Sequence, residues 1–321
     1  MLNRRILRIK AFKVLYAYAE NPDLSLKEAL DSLETQAEAT RDLYLYMLAV
    51  IPALTAEAAR RTEAARGKFN PTEEDLHPNM KFVRNGVSAL LEQDPDFARL
   101  TEKKKISWSQ NDAFLHTLYE RLKTRPYYAE YMAGGTPSLK EDANLWKCIF
   151  EQEFEDDPDL SAILEDHSIY WADDLAYALG TCIRTLEETG RLGRWSFPPL
   201  YQSDILQAQG RQVESDRAFV RSLLTAAYGR FPEYSALIAD SVSKWDRDRL
   251  YTTDIVLIAM GLAEAETFPD IPVKVSINEY VEISKYYSTP KSRGFVNGLL
   301  DRLIKDRQAQ GLIQKTGNGL I

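Results

Sequence analysis

Cysteine and histidine are scarce in this 321-residue chain, which narrows the chemistry open to it. Cys148 and Cys182 both stand in apolar helical contexts, so a disulfide framework is not expected and a cytoplasmic setting is favoured. His77, His116 and His167 lie far apart and lack the spacing of zinc ligands. The sequence therefore predicts neither a metal site nor a bound cofactor.

Catalytic signatures and membrane segments are also missing from the sequence. There is no Walker loop, no G-x-S-x-G, no H-E-x-x-H and no glycine-rich dinucleotide loop after a strand. The acidic run from Glu151 to Asp159 lacks the glycine and ligand register of an EF-hand and is typical of a solvated helix end. No apolar run reaches signal-peptide or membrane-span length, so no membrane association is expected. These absences predict a protein that is not an enzyme.

Positive charge is concentrated at the two ends of the chain. The 40 Lys and Arg residues against 48 Asp and Glu give a net charge of −8, which argues against a general nucleic-acid coat protein. Basic residues nevertheless dominate positions 1–20 and 285–315, while the middle is acidic. This asymmetry predicts a local anion-binding patch on an otherwise acidic protein.

Helical periodicity runs through almost the whole chain and no segment alternates like a strand, which predicts an all-α fold. A first helix is predicted over 3–20, and Ser25 with Glu28 forms a capping-box pattern at the start of the next. A long helix is predicted at 41–66 with a kink at Pro52, and a linker at 190–211. The last helices are predicted at 213–230, 232–244, 247–267, 272–287 and 290–310, followed by a frayed tail.

Residues 142–174 align with 216–248 without a gap. The identical pairs include Pro158 with Pro232 and Trp171 with Trp245, so the proline that starts a helix and the tryptophan that closes it coincide. Two interpretations stay open. The segments are either two generic helical hairpins, or a partial duplication that copied part of the C-terminal domain into the middle of the chain.

The first helix carries a short cationic stripe. At about 100° per residue, Arg4, Arg8 and Arg5 fall at about 0°, 40° and 100°, and Tyr16 lies beside that flank. If this helix is a neighbour of the last one, the two basic ends of the chain merge into one patch.

The turn before the last helix has a composition suited to RNA. Lys291 and Arg293 lie where free N–H groups and the helix dipole favour phosphate. Tyr287 precedes them and is suited to stack on unpaired bases. A site for single-stranded RNA and an ordinary solvated charged surface both remain open on these grounds.

Two separate segments resemble the NusB family of transcription antitermination factors. RRILRIKAFKVLYAY at 4–18 resembles the arginine-rich first helix of that family, and 213–301 resembles the rest of its fold. The likeness is closest over IPVKVSINEYVEISKYYSTPKSRGFVNGLLD, where the INE, E-x-x-K and FVNGxLD elements occur together. The resemblance implies a long form with a partly duplicated helical insertion. Its expected organisation is NusB-like helices at 1–40, an insertion and linker at 41–210, a C-terminal bundle at 211–310 and a flexible tail at 311–321.

The resemblance also implies a function and a set of contact residues. A NusB protein is all-helical and not an enzyme, pairs with the ribosomal small-subunit protein NusE, and with it binds the boxA element of ribosomal RNA transcripts in the RNA polymerase antitermination complex. Glu264 matches a glutamate of the family's partner-binding helix and is expected to contact NusE. Together with the residues above, the expected RNA contacts are Arg4, Arg5, Arg8, Tyr16, Tyr287, Lys291, Ser292 and Arg293.

The sequence departs from the family pattern in both expected sites. Lys291 replaces an acidic residue and Gly294 a basic one in the RNA turn, while Ala259 and Ala263 replace an arginine and a tyrosine in the partner helix. These changes favour an alternative, a helical protein–protein adaptor that has lost specific RNA binding. A further alternative is part of a ribosomal RNA cytosine methyltransferase, but the chain has no nucleotide-binding βαβ unit. Within the motif, Gly298 is expected to permit close helix packing.

Overall fold

The computed structural model describes residues 1–135, 137–242 and 250–320, and the chain divides into two compact units. Unit 1 comprises Met1–Ala37 and Pro199–Ile321, and unit 2 comprises Glu38–Pro198. Over the described ranges the chain forms helices α1 to α15 and no β-strand, so the predicted all-α fold is confirmed. Which segments are inserted relative to the family stays a prediction.

Unit 1 is built from the two ends of the chain. Leu2 and Tyr201 form an isolated parallel bridge, in which the Leu2 N–H donates to the Leu200 carbonyl at 2.6 Å. This contact lies in the segment predicted as a linker and ties it to the N-terminus. The helices of the unit are α1 (Arg4–Glu20), the first turns of α2 (Leu26–Arg66), α11 (Gln202–Ala208), α12 (Asp216–Val242), α13 (Thr252–Thr267), α14 (Val273–Tyr287) and α15 (Ser292–Ala309). Because α13 is buried along most of its length and contacts α1, α12, α14 and α15, it forms the core of the unit.

Unit 2 contains the greater part of α2 and the helices that follow it. Fully buried Tyr44 and Trp146 belong to its core, where α8 packs against α10. The helices are α3 (Glu73–Leu76), α4 (Gly86–Gln93), α5 (Pro95–Lys104), α6 (Asp112–Lys123), α7 (Pro126–Ala133), α8 (Leu139–Gln152), α9 (Pro158–His167) and α10 (Leu175–Leu192).

Helix α2 is a single helix of 41 residues, longer than the predicted segment 41–66, and it retains Pro52 in its interior. The predicted capping box at its start is confirmed. The Ser25 N–H donates to the Glu28 carboxylate at 2.9 Å, and the Glu28 N–H donates to the Ser25 hydroxyl at 3.3 Å. By length and composition α2 could cross a membrane, but 67% of the relevant 18-residue window is buried within the protein. This burial is typical of a core helix.

The two segments that align in the sequence differ at their prolines. Pro158 begins α9 and Asp157 is its N-cap, whereas Pro232 lies inside the continuous helix α12. The prediction that both prolines start a helix is therefore wrong for the second segment. Trp245 lies outside the described residues, and the proposed duplication stays a prediction.

Close packing in the core of unit 1 depends on Gly261 and not on Gly298. A Cβ at Gly261 would lie 2.6 Å from the Leu300 side chain and 3.3 Å from the Tyr280 ring, so α13 approaches α14 and α15 closely only with glycine there. A Cβ at Gly298 would meet no neighbouring atom within 4 Å among the described residues. The expectation that Gly298 permits close packing is therefore wrong.

The segment after α15 packs on the loop between α13 and α14, contrary to the predicted flexible tail at 311–321. Ile313 is buried, and the Thr316 N–H donates to the Pro269 carbonyl at 3.1 Å. Lys315 donates from Nζ to the Phe268 carbonyl at 2.8 Å. A Cβ at Gly319 would lie 1.9 Å from the Pro269 carbonyl oxygen, so only glycine allows this approach.

Candidate functional site

Arg8, one of the three arginines of the α1 stripe, is buried and paired with Glu264. Its side chain is 4% exposed and that of Glu264 is 0% exposed. The guanidinium donates from Nε and Nη2 to the two oxygens of Glu264, at 2.7 and 2.9 Å. Burial opposes the charge of Arg8, but the hydrogen bonds that Arg8 donates to Glu264 and the negative charge of Glu264 outweigh burial and raise the arginine pKa. The pair is a bidentate ion bridge inside unit 1.

The remaining hydrogen-bonding capacity of Glu264 is also used within the chain. Ser276 donates its hydroxyl to Oε1 at 2.7 Å, and Tyr280 donates its hydroxyl to Oε2 at 2.9 Å. These residues join α1, α13 and α14. Neither Arg8 nor Glu264 lies on the surface of unit 1, so the RNA contact expected at Arg8 and the partner contact expected at Glu264 stay predictions that would require this bridge to open.

Arg5 lies on the surface and is held by Glu279 of α14. Its Nε and Nη2 donate to the two carboxylate oxygens at 2.9 and 2.7 Å, and the Arg5 side chain is 51% exposed. The hydrogen bonds from Arg5 lower the pKa of Glu279 against the opposing effect of burial, and the charge of Arg8 adds to the lowering. At neutral pH this carboxylate is ionised and occupies the arginine fork.

Arg4 is held between two carboxylates and an aromatic ring. Its Nη2 donates to Glu214 at 2.8 Å and its Nε to Asp216 at 3.2 Å. The guanidinium carbon lies 4.5 Å from the centre of the Phe219 ring, within cation–π distance. Glu214 is 47% exposed and Asp216 is 9% exposed, so the outer partner of Arg4 faces solvent and the inner one does not.

The end of α14 contributes aromatic residues to the face of α1 that carries Tyr16. Phe12 contacts both rings, with centroids 5.3 Å from Tyr287 and 6.3 Å from Tyr16. Lys13 lies over the Tyr287 ring, its Nζ 5.7 Å from the centroid. Tyr286 is 82% exposed. Two of the expected RNA contacts, Tyr16 and Tyr287, therefore belong to one aromatic cluster that the buried ring of Phe12 supports.

The turn between α14 and α15 is anchored by a buried carboxylate, Asp254 at the start of α13. Ser288 and Ser292 donate their hydroxyls to its two oxygens at 2.6 and 2.8 Å, and Thr253 and Thr289 extend this hydroxyl cluster. Burial raises the pKa of Asp254, while the two serine hydrogen bonds lower it in part. Ser292 is buried and its hydroxyl is directed at Asp254, so it stabilises this turn, and the RNA contact expected at Ser292 stays a prediction.

Lys291 and Arg293 flank Ser292 at the start of α15, and both are exposed. The positive charge of Arg293 helps to lower the pKa of Glu282, after the larger effect of the hydrogen bond from Lys285. We define the basic aromatic surface as Phe12, Lys13, Tyr16, Tyr286, Tyr287, Lys291 and Arg293. Over the described ranges, no group of three or more His, Cys, Asp and Glu side chains is placed to hold a metal ion.

Sequence reasoning missed the acidic partners of the site. Glu279 is part of the INE motif, but its bond to Arg5 joins residues 274 positions apart. Glu214 and Asp254 stand before or near the first turn of a helix, where acidic residues are common, so their position alone gives no functional signal. The only available indication was the excess of carboxylates over basic residues in the chain.

Comparison with known proteins assigns the family. Residues 199–305 match the model of the NusB family. The transcription antitermination protein NusB of Salinibacter ruber is 37% identical over 107 residues, which cover 33% of this chain and 67% of that protein. This chain belongs to the NusB family. NusB proteins are antitermination factors and not enzymes, so the predicted absence of catalysis is confirmed.

Two further NusB relatives show the same partial coverage. The protein of Chloroherpeton thalassium is 35% identical over 103 residues, which cover 32% of this chain and 49% of that protein. The protein of Lactiplantibacillus plantarum is 34% identical over 91 residues, which cover 28% of this chain and 66% of that protein. No solved structure matches. The segment that matches the family model includes the turn around Lys291 but not α1.

Proposed function

We propose that this NusB-family protein binds single-stranded boxA-type RNA of ribosomal RNA transcripts, together with NusE, in the cytoplasmic antitermination complex of RNA polymerase. The observation that carries the proposal is the aromatic cluster of the basic aromatic surface, in which Phe12 contacts Tyr16 and Tyr287 and Lys13 lies over the Tyr287 ring. Exposed Lys291 and Arg293 follow Tyr287 along the chain, at the start of α15. Exposed aromatic rings and basic side chains on one surface are what single-stranded RNA requires.

The chemistry of this surface fits unpaired nucleotides. Stacking of one base on an aromatic ring contributes about 1–3 kcal/mol. Lys291 and Arg293 stand at the N-terminus of an 18-residue helix, where unsatisfied N–H groups favour phosphate. The Asp254 anchor fixes the turn that carries them, so the two cations are presented without a large ordering cost.

The arginine stripe has a smaller part in this proposal than its sequence suggests. Arg8 is buried against Glu264, so the proposal does not rely on it as a direct RNA contact. Arg4 and Arg5 reach RNA only after leaving their carboxylate partners. NusE would bind through residues other than Glu264.

A second candidate function is the protein–protein adaptor. It is favoured by one specific observation, that Arg4, Arg5 and Arg8 all form ion pairs within the chain. In that case the chain would assemble with protein partners and hold RNA only by non-specific charge attraction.

Fluorescence anisotropy of a labelled single-stranded boxA-type RNA separates the two candidates. The protein is titrated with and without NusE at two salt concentrations, alongside Tyr287→Ala and the double variant Lys291→Ala/Arg293→Ala. We expect NusE to strengthen binding and Tyr287→Ala to weaken it. The double variant should reduce the salt slope by about 1.4, since each phosphate contact on a single strand contributes about 0.7.

Lys274→Ala is the matched control for the basic residues. Lys274 is exposed near the first residue of α14, about 20 Å along the helix from Tyr287 at a rise of about 1.5 Å per residue. The Lys274→Ala variant should leave both the RNA affinity and its salt dependence unchanged. Equal weak binding by the wild type and the double variant, with NusE present and folded, would support the adaptor instead.

A further inference from the structure

The carboxylates that hold Arg4 and Arg5 occupy the positions that RNA phosphates would need. Glu279 accepts both parallel hydrogen bonds of the Arg5 fork, and Glu214 accepts from the outer nitrogen of Arg4. A carboxylate and a phosphate present two oxygens to a guanidinium in the same planar arrangement. Each glutamate is therefore the chemical equivalent of a phosphate already bound to the chain.

Burial divides the ion pairs of the stripe into fixed and exchangeable ones. Arg8 and Glu264 are both buried, and opening a pair of this kind leaves a charge uncompensated inside the protein. The Arg5 and Glu214 side chains are 51% and 47% exposed, and their partners Glu279 and Arg4 are 17% and 33% exposed, so each of these pairs has one member open to solvent. Solvent and salt already weaken pairs at such positions. A phosphate can therefore replace the carboxylate at Arg4 or Arg5, but not at Arg8.

Arg4 is positioned to accept a phosphate without losing its own orientation. Asp216 is nearly buried and holds Nε, while the Phe219 ring lies beneath the guanidinium. Only the outer nitrogen, Nη2, has an exposed partner, Glu214. If Glu214 leaves, the guanidinium stays in place and its outer edge faces solvent.

We propose that Glu214 and Glu279 are internal competitors for RNA phosphate, which hold Arg4 and Arg5 until phosphates of a single-stranded RNA displace them. The proposal rests on the RNA-binding function proposed above. It makes the two glutamates negative determinants of RNA affinity. A polyanion that reaches only the basic aromatic surface binds without opening the pairs, whereas RNA that also extends along α1 must exchange with both carboxylates.

The test uses the full chain and a fluorescein-labelled single-stranded RNA in anisotropy titrations at low salt. The variants are Glu214→Gln and Glu279→Gln, which keep the size and remove the charge. Each should tighten RNA binding by about two- to five-fold, the factor that corresponds to the measured range of exposed ion pairs. Asp23→Asn, in the exposed turn between α1 and α2, is the control for a change of net charge alone.

A double-variant cycle shows whether Glu279 acts through Arg5. In an Arg5→Ala background, Glu279→Gln should no longer tighten binding. Two results would overturn the proposal in favour of a general effect of charge. One is that Glu279→Gln tightens RNA binding equally with Arg5 present and in Arg5→Ala. The other is that Asp23→Asn tightens RNA binding as much as Glu214→Gln does. Thermal unfolding of each variant confirms that the chain is folded.

The outcomes distinguish failure of this proposal from failure of the proposed function. If Arg5→Ala and Lys291→Ala/Arg293→Ala weaken binding while both glutamine variants bind like the wild type, RNA binding stands and the competitors are refuted. If the wild type binds RNA no better than Lys291→Ala/Arg293→Ala, the RNA function itself fails and the competitors fail with it.

Discussion

The buried pair of Arg8 and Glu264 leads to a large and specific stability prediction. In Glu264→Gln the side-chain volume is kept, but the charge that compensates the buried guanidinium is removed. Both side chains are at most 4% exposed, so solvent does not relieve the loss. Breaking a buried ion pair on one side costs about 3–5 kcal/mol. We expect a loss of this size in the free energy of unfolding of unit 1.

The assay has to report on unit 1 alone. Four tryptophans, Trp108, Trp146, Trp171 and Trp195, lie in unit 2, so tryptophan fluorescence is a poor reporter here. Hydrogen exchange of α13 peptides, read by mass spectrometry, gives the opening free energy of the core helix directly. Glu279→Gln is the comparison variant and should cost less than Glu264→Gln, because its partner Arg5 is 51% exposed and solvent can compensate that guanidinium.

Two results would refute the reasoning about Glu264. One is that Glu264→Gln lowers the free energy of unfolding by less than about 1 kcal/mol and also loses affinity for NusE. That result would identify Glu264 as a partner contact. The other concerns the double variant Arg8→Met/Glu264→Leu. Replacing both charges with apolar groups removes the uncompensated charge, but it also leaves the buried hydroxyls of Ser276 and Tyr280 without their acceptor. The double variant should therefore recover part of the stability lost in Glu264→Gln, and no recovery would refute the reasoning.

Three further predictions follow from the packing of unit 1. Gly261→Ala places a methyl group against Leu300 and should cost about 1–3 kcal/mol. At Gly298 an added methyl group would meet no atom of the described residues within 4 Å, so Gly298→Ala should stabilise α15 by about 0.5–1 kcal/mol. Both changes are measured by chemical unfolding. Gly319→Ala should detach the C-terminal segment and expose it to limited proteolysis. Burial raises the pKa of Asp254. The protonated carboxyl therefore stabilises the fold below the ordinary aspartate pKa of about 3.9, and this stabilisation is lost as the pH rises through the raised pKa. In Asp254→Asn, the free energy of unfolding should no longer show this loss when it is measured against pH.

Local patterns gave reliable predictions where local forces decide the structure. The capping box at Ser25 needs only residues within one turn, and it forms as predicted. The helices predicted at 272–287 and 290–310 agree with α14 and α15 within two residues at each end. Pro232 is the exception, because a proline normally interrupts a helix. Here α12 packs against α1 and α13 and buries residues on both sides of Pro232, which favours one continuous helix through the proline.

The candidate site was less predictable because its contacts join distant parts of the chain. The helical wheel placed Arg8 at about 40°, and Leu15, a core residue, falls at about 20°. That overlap was a signal that Arg8 faces the interior. The presence of Glu264 opposite it depends on how α13 crosses α1, which no local pattern contains. Tyr16 is exposed and Tyr287 is half-buried against Phe12, and their role in RNA binding stays a prediction.

The division of unit 1 between the two ends of the chain has a consequence for its synthesis on the ribosome. Unit 2 is complete at Pro198, before any of the C-terminal part of unit 1 has been synthesised. Arg8 and Glu264 are 256 positions apart, so at about 5–20 residues per second their pairing waits about 13–50 s. During that interval the first helix is exposed with its arginines unneutralised, whereas unit 2 has all of its own residues available for folding.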